Sequence, residues 1–203
     1  MTDASTTLAE FLAAVAAKQP APGGGAVSAV VGALSAAIGE MALNYSVGKK
    51  GLEAHQPALN ESLRRLSAAR NLMLRLMVED QLAFETAQSL KKQNAAADTL
   101  AAAALVAIRV PQSVAATAAA ILDETARVAP IANRWLLSDL AVCAELAMAT
   151  VRCGICNVRV NLADVPDASE RQNFMKWCED LMTRCTKTIR QVIPEIWKRI
   201  EQP

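Results

Sequence analysis

The sequence predicts an all-α protein, a multihelical array of long amphipathic helices in a single domain over residues 1–203. Alanine, leucine and glutamate, which favour helix, dominate the chain. Apolar residues recur at steps of three and four, whereas the period-two alternation that marks a strand is nearly absent. No linker or internal repeat divides the sequence, and about 200 residues are enough for one domain with a real core.

Caps, prolines and glycines set the expected helix boundaries. Thr7 and Glu10 form a capping box before the first helix, and the turn at Pro22 separates it from the second. Pro111 is expected to interrupt an alanine-rich segment, and Ser138 is a candidate N-cap. The predicted helices cover residues 8–18, about 25–47, about 57–90, about 95–109, 111–128, 138 to about 160, and a last helix after residue 167.

Charge and composition exclude several classes of partner. The net charge is +1, from 21 basic and 20 acidic residues spread along the chain, so the basic stripe of a nucleic-acid-binding protein is missing. The longest uncharged stretch, residues 19–39, begins with a proline and glycine turn and leaves about 15 weakly apolar residues where a bilayer needs ~20. We therefore expect neither a nucleic-acid nor a membrane partner.

The cysteines indicate a reduced, cytoplasmic protein without a metal site. There are five, an odd number, and no secretory signal precedes them. Cys153 and Cys156 form a Cys-x-x-Cys motif, but the chain has one histidine and no second such pair to complete a tetrahedral zinc site. Neither a metal nor another cofactor is expected.

The second helix carries two parallel seams with steps of three and four. One seam holds only small side chains, and the three glycines in it each cost about 1 kcal/mol relative to alanine. Either helices pack closely on this seam, for instance across a dimer two-fold, or it forms a groove floor that admits a flat ring. The small seam is Gly25, Ser28, Gly32, Ser35, Gly39, Ala42 and Ser46; the larger apolar seam is Val27, Val31, Leu34, Ile38, Met41 and Tyr45.

Asp80 is the strongest candidate for a functional residue. It lies on the apolar stripe of the third helix, where an unpaired carboxylate would be costly to bury. Arg70 is on the same stripe but about 15 Å away along the axis, too far to pair with it. Asp80 therefore either reacts with a substrate or has a structural role, pairing with another arginine or capping a neighbouring helix.

Two glycine-containing segments flank the second helix. Gly23, Gly24 and Gly25 deliver the chain into a helix N-terminus, whose free amides can bind an anionic or carbonyl ligand, although a plain turn explains them equally well. After the helix, Lys49 and Lys50 could bind carboxylates or could simply offset the helix dipole in solvent.

A third set of candidates is polar and lies late in the chain. Asn157 and Asn161 are four residues apart, so both amides share one face of a mostly apolar helix, where unpaired amides would be costly. Asn133, Ser138 and Asp139 precede them and could serve as caps and turn residues.

Taken in order, these clusters resemble the folate cyclodeaminase and methenyltetrahydrofolate cyclohydrolase family over nearly the whole chain. The family's Leu-Pro-Lys after the aspartate helix is missing, and Ala132 replaces a glycine. The matching elements are Pro-Ala-Pro-Gly-Gly-Gly at residues 20–25, Gly48-Lys49-Lys50, Asp80 with Ala83 and Phe84, Asn133, Ser138-Asp139-Leu140, and Asn-Val-Arg-Val-Asn-Leu at residues 157–162.

The resemblance implies an all-helical homodimer that binds a folate and hydrolyses 5,10-methenyltetrahydrofolate to the 10-formyl compound, without a metal or redox cofactor. The alternatives are a formiminotetrahydrofolate cyclodeaminase, which releases ammonia, and a non-catalytic folate-binding or scaffold dimer, suggested by the missing Leu-Pro-Lys. An absorbance assay for the methenyl group and an ammonia assay would separate the three.

The resemblance also implies roles for the candidate residues. Asp80 would be the general base or cation stabiliser, and Asp139 a second carboxylate. Lys49 and Lys50 would meet the glutamate tail of the folate. The remaining substrate-binding candidates are Gly23, Gly24, Gly25, Ser28, Asn133, Ser138, Asn157 and Asn161.

Overall fold

A computed structural model describes residues 2–3 and 5–201 of the protein, and every regular element in this part is a helix. The capping box predicted at Thr7 and Glu10 is present. Short 3₁₀ turns lie at Glu53–His55, Arg134–Leu136 and Leu162–Asp164. The long helices are α1 (Leu8–Ala16), α2 (Gly24–Asn44), α3 (Gln56–Lys92), α4 (Ala97–Val128), α5 (Leu137–Asn161) and α6 (Ala168–Glu201).

Helix α2 lies between α3 and α5 and runs antiparallel to α5. The Ser35 hydroxyl donates to the Cys143 carbonyl at 2.7 Å, and nearer the start of α2 the backbone of Gly24 faces Asn157. Increasing numbers on α2 therefore meet decreasing numbers on α5. The first turn of α2 and the last turns of α5 consequently lie at the same end of the bundle.

The small seam of α2 is buried inside the protomer, so the close-packing interpretation holds for most of it. A methyl group on Gly32 would lie 2.6 Å from the Met73 side chain, and one on Gly39 would lie 3.0 Å from Cys143 and Leu66. The opposite, larger apolar seam is covered only in part: Val27 and Ile38 pack against the core, whereas Leu34 is 53% exposed and Tyr45 63%. The expectation that both faces of α2 are covered is therefore wrong for the single protomer.

The interruption predicted at Pro111 is also wrong, because α4 continues through it. Proline lacks the N–H that would bond the carbonyl four residues earlier, which is that of Ala107. The Asn161 side chain supplies the missing donor, with its Nδ2 2.7 Å from the Ala107 oxygen. A side chain from α5 therefore satisfies the carbonyl that the proline leaves free.

Ser138 does not cap α5 as predicted. The helix already begins at Leu137, and its N-cap residue, Leu136, makes no side-chain cap. Asn133 instead accepts from the backbone N–H of Trp135 and starts the preceding 3₁₀ turn. The last helix has the expected start, since the Asp167 carboxylate accepts from the N–H of Glu170 at 2.8 Å.

Three segments are long and apolar enough to cross a bilayer: Gly24–Asn44, Ala97–Val128 and Arg134–Asp164. The sequence-based argument that residues 19–39 leave too short an apolar run was therefore wrong, because α2 alone has 21 residues. In the bundle, 56%, 50% and 50% of the three apolar windows are buried against other helices. Packing between helices therefore buries about half of each window.

The contact between α4 and α5 depends on Gly154. A methyl group there would lie 2.9 Å from the Ala115 side chain and 3.0 Å from the Pro111 carbonyl, and backbone cannot move aside easily. We expect Gly154→Ala to lower the free energy of unfolding by about 1–3 kcal/mol. Gly32→Ala should cost less, because the tip of Met73 can move. Urea denaturation measures both, and equal losses would contradict this account.

Candidate active site

A cleft of about 400 Å³ opens at the end of the bundle where α2 begins. The turn that precedes α2 forms one wall, α3 forms a second, and the last turns of α5 form a third. The cleft brings together candidates that lie far apart in the sequence. Among its lining residues are Gly23, Gly24, Gly25, Asp80, Phe84, Asn157 and Asn161.

The Asp80 carboxylate lies directly on the backbone of Gly25. A methyl group on Gly25 would be 2.0 Å from one carboxylate oxygen and 2.5 Å from the other, so no larger residue fits without moving Asp80. The backbone N–H of Ala26 hydrogen-bonds the carboxylate. Asp80 thus caps α2, as the structural alternative supposed, and it also lines the cleft. At Gly25 the small seam is therefore packed against Asp80.

The electrostatics of Asp80 differ from those of an ordinary surface carboxylate. Burial raises its pKa above the usual aspartate value of 3.8, and the hydrogen bond from Ala26 opposes the rise only in part. Because the folded-state pKa is raised, ionisation of Asp80 disfavours the folded state. This penalty is absent well below pH 3.8 and reaches its full size above the raised pKa. Asp80 therefore costs stability at neutral pH.

Asn157 and Asn161 share one face of α5, as their spacing predicted, and both line the cleft that contains Asp80. Each donates its amide group to a backbone carbonyl: Asn157 to Cys153 at 2.9 Å and Asn161 to Ala107 at 2.7 Å. These bonds fix both side chains and leave each amide oxygen as an acceptor. A ligand with N–H groups in one plane would match such a pair of acceptors.

The other candidates lie at the opposite end of α2. The Lys49 ammonium donates to Asn133 Oδ1 at 2.8 Å, and Asn133 Nδ2 donates to the Tyr45 carbonyl at 3.1 Å. Ser138 and Asp139 follow in the first turn of α5. Since α2 has 21 residues, about 30 Å separates this group from the cleft within one protomer.

Lys50 and Ser28 complete the predicted set. Lys50 is exposed in the loop after α2, where Gly48 and Gly51 take left-handed φ values of 72° and 87°. Ser28 is buried on the α5 side of α2, and its hydroxyl donates to the Gly24 carbonyl at 2.6 Å. Ser28 thus supports the first turn of α2 from within.

Comparison with known proteins identifies the family of this chain. A family model described as formiminotransferase-cyclodeaminase matches residues 7–180. The chain belongs to this family. A methenyltetrahydrofolate cyclohydrolase from Methylorubrum extorquens is 28% identical over 184 residues, which are 87% of this chain and 88% of that protein.

Two further relatives are named as cyclodeaminases. A formiminotetrahydrofolate cyclodeaminase from Thermotoga maritima superposes with a TM-score of 0.84 at 29% identity, over 97% of this chain and 96% of that one. The mouse formimidoyltransferase-cyclodeaminase is 30% identical over 170 residues. This match covers 80% of the present chain but only 31% of the mouse protein.

Sequence reasoning missed two charged residues of this family member's cleft, Lys91 and Asp164. Lys91 donates to the Asp164 carboxylate at 2.8 and 2.9 Å. Their spacing from Asp80 and Asn161 along the chain could have identified them. Lys91 is eleven residues after Asp80, three helical turns along the same face, and Asp164 comes three residues after Asn161.

No metal centre emerges in the part of the chain that the structure describes, where no three His, Cys, Asp or Glu side chains lie together. Cys153 and Cys156 are exposed on α5 as free thiols. The absence of a metal or cofactor remains a prediction from the sequence.

The contact between Gly25 and Asp80 can be tested by substitution. Gly25→Ala should displace the carboxylate toward solvent, and because burial is the largest cause of its shift, the pKa of Asp80 should fall toward 3.8. Gly24→Ala is the matched control, since its methyl group would lie 3.5 Å from Asn157, an ordinary contact. Carboxyl NMR titration reports the pKa, and an unchanged value in Gly25→Ala would contradict the described contact.

Proposed function

We propose that this protein is a methenyltetrahydrofolate cyclohydrolase, which hydrolyses the carbon bridge between N5 and N10 of 5,10-methenyltetrahydrofolate. The observation that carries the proposal is the half-buried Asp80 carboxylate, which lies on the backbone of Gly25 and lines a cleft with two fixed asparagines. The Methylorubrum cyclohydrolase supports it, because that match covers nearly the full length of both chains.

Asp80 supplies the chemistry in this proposal. The substrate is a cation at the amidinium carbon, so a nearby carboxylate stabilises it and can accept a proton from an attacking water. The water oxygen bonds to the carbon and gives a neutral tetrahedral intermediate. The C–N5 bond then breaks, N5 takes the proton from Asp80, and the hydroxyl proton leaves to solvent. The products are 10-formyltetrahydrofolate and one proton.

The cleft provides groups that could orient the pterin. The ring carries N–H and NH₂ donors along one edge, and the oxygens of Asn157 and Asn161 are acceptors held in place by their own amide bonds. Gly23 and Gly24 line the cleft without side chains, so a flat ring could approach the backbone at the start of α2 closely.

The second candidate function is formiminotetrahydrofolate cyclodeaminase. The Thermotoga structure favours it, because that protein carries this name and matches this chain over nearly its whole length. N10 would attack the formimino carbon, and ammonia would leave through a tetrahedral centre at the same carbon. The same carboxylate could serve both reactions. A non-catalytic folate-binding dimer remains the alternative if neither reaction is found.

We expect the enzyme to act in the cytoplasm as a homodimer. All five cysteines are free, as in a reducing compartment. The uncovered apolar face of α2, with Leu34 and Tyr45 exposed, continues onto α5 at Val142, which is 50% exposed. This face is where we place the second copy.

A two-fold axis near Leu34 would also assemble the divided site. In an antiparallel pair of α2 helices, the end of one helix lies beside the start of the other. The second protomer's Lys49, Asn133, Ser138 and Asp139 would then approach the cleft that contains Asp80. Lys50 of that protomer would lie at the rim. Asp139 would act there as the second carboxylate.

Asp80→Asn tests the role of the carboxylate. Turnover should fall by about a hundredfold or more, as expected when a general base is removed. In the wild type, kcat/KM should decline as pH falls through the raised pKa of Asp80, above the usual 3.8, because the base becomes protonated. Absorbance of the methenyl group measures hydrolysis, and ammonia release from the formimino compound measures cyclodeamination.

Glu79→Gln is the control for this experiment, because it removes a neighbouring, exposed carboxylate of α3. It should keep wild-type turnover. Near-normal turnover in Asp80→Asn would remove Asp80 from the mechanism.

Mixing two inactive variants tests the divided site. If Asp80 of one protomer works with Asp139 of the other, a re-equilibrated mixture of Asp80→Asn and Asp139→Asn should regain about a quarter of wild-type activity. Half of the dimers would then carry one complete site out of two. A mixture as inactive as its components would mean that Asp139 acts with Asp80 of its own chain, and wild-type turnover in Asp139→Asn alone would remove Asp139 from the site. The proposed dimer face can be tested separately. Leu34→Asp places a charge on this apolar face, so the variant should be a monomer, and light scattering measures its mass.

A further inference from the structure

A second cavity continues from the cleft past Asn161. Its volume is about 500 Å³, and it lies between the end of α3, the first half of α4 and the segment that follows α5. The proposed reaction needs only the first cavity, where Asp80 and the glycine turn meet. The second cavity therefore calls for a separate explanation. Both cavities are lined by Ala87, Lys91, Ala107, Asn161 and Asp164.

The walls of the second cavity are mostly apolar and are formed largely by small side chains. Seven alanines line it, together with Leu100, Val165 and Pro166. The alanine methyl groups take up little of the space between the walls. Such a cavity accepts a planar aromatic ring by dispersion and burial of apolar surface, without fixing its rotation about the long axis.

The polar groups of this cavity carry a net positive charge. Lys91 contacts Asp164 at 2.8 and 2.9 Å, and the two side chains are 48% and 51% exposed. An ion pair this exposed contributes little to stability and can exchange partners. Arg171 also lines the cavity and donates to the Val165 and Pro166 carbonyls at 2.6 and 2.8 Å. Both acceptors are neutral, so its charge is not cancelled by them.

The distances suit a ligand that extends from one cavity into the other. Asp80 and Lys91 are eleven residues apart on α3, about 16 Å along the helix axis. A p-aminobenzoyl group joined to a glutamate spans about 10 Å from N10 to the α-carboxylate at ordinary bond lengths. The flexible Lys91 side chain covers the remaining distance.

We propose that the second cavity binds the p-aminobenzoyl-glutamate arm of the folate, with Lys91 and Arg171 holding its carboxylates. Before substrate binds, Asp164 occupies Lys91 in place of the ligand carboxylate. The inference rests on the proposed function, since it assumes that a folate has its one-carbon bridge beside Asp80. It assigns the glutamate tail to residues other than Lys49 and Lys50, which lie at the far end of α2 within the protomer that contributes Asp80.

Two variants that break the same ion pair distinguish this proposal from a structural role. Lys91→Gln removes the cation that binds the tail, so KM for the monoglutamate substrate should rise by about tenfold or more. Asp164→Asn removes the competitor, so KM should fall by about two- to threefold. A purely structural ion pair would make both variants change in the same direction. Lys92→Gln, at the neighbouring exposed lysine, is the control for charge alone.

Steady-state kinetics with 5,10-methenyltetrahydrofolate and the formimino compound give each result. Opposite changes in KM, with Lys92→Gln at the wild-type value, support the proposal. If the wild type is active and Asp80→Asn is not, but KM is unchanged or moves the same way in Lys91→Gln and Asp164→Asn, the tail assignment alone is overturned. If the wild type turns over neither compound, the proposed function fails, and the tail assignment fails with it.

Discussion

The arrangement of the site depends on the contact between the Asp80 carboxylate and the first turn of α2. Gly25 has no side chain, so α3 can place a carboxylate where a Cβ atom would otherwise be, within reach of the Ala26 N–H. Burial of that carboxylate disfavours its charged form, while the helix N-terminus partly compensates. The same contact closes α2 onto α3 and leaves the acid facing the cleft, so architecture and proposed chemistry share one interaction.

A carboxylate in such a place lowers stability at neutral pH, because its pKa is raised in the folded protein. Residues that lower stability in this way, such as a carboxylate in an apolar environment, concentrate at functional sites. The pairing of Pro111 with Asn161 fits the same view. The proline leaves the Ala107 carbonyl free, and satisfying it fixes an asparagine on the wall of the cleft. Two features that look unfavourable in isolation thereby position polar groups around one space.

Local patterns in the sequence predicted most of the fold. The capping box at Thr7, the long helices and the shared face of Asn157 and Asn161 all follow from short-range periodicity and are confirmed. The continuity of α4 through Pro111 could not be predicted, because the compensating donor comes from residue 161. The sequence also could not show that the candidate residues lie at two opposite ends of α2, because the order of residues along the chain does not determine the distances between them in the fold. Lys91 was accessible from its spacing to Asp80 and was overlooked.

The most direct measurement is a crystal structure of the protein with a stable folate analogue, such as a 5-formyl compound. We expect the pterin to lie against the glycine turn, with a single water molecule between its one-carbon group and the Asp80 carboxylate. If the analogue binds elsewhere and Asp80 contacts only the Ala26 N–H, the proposed role of Asp80 is wrong, although the helical fold is unaffected.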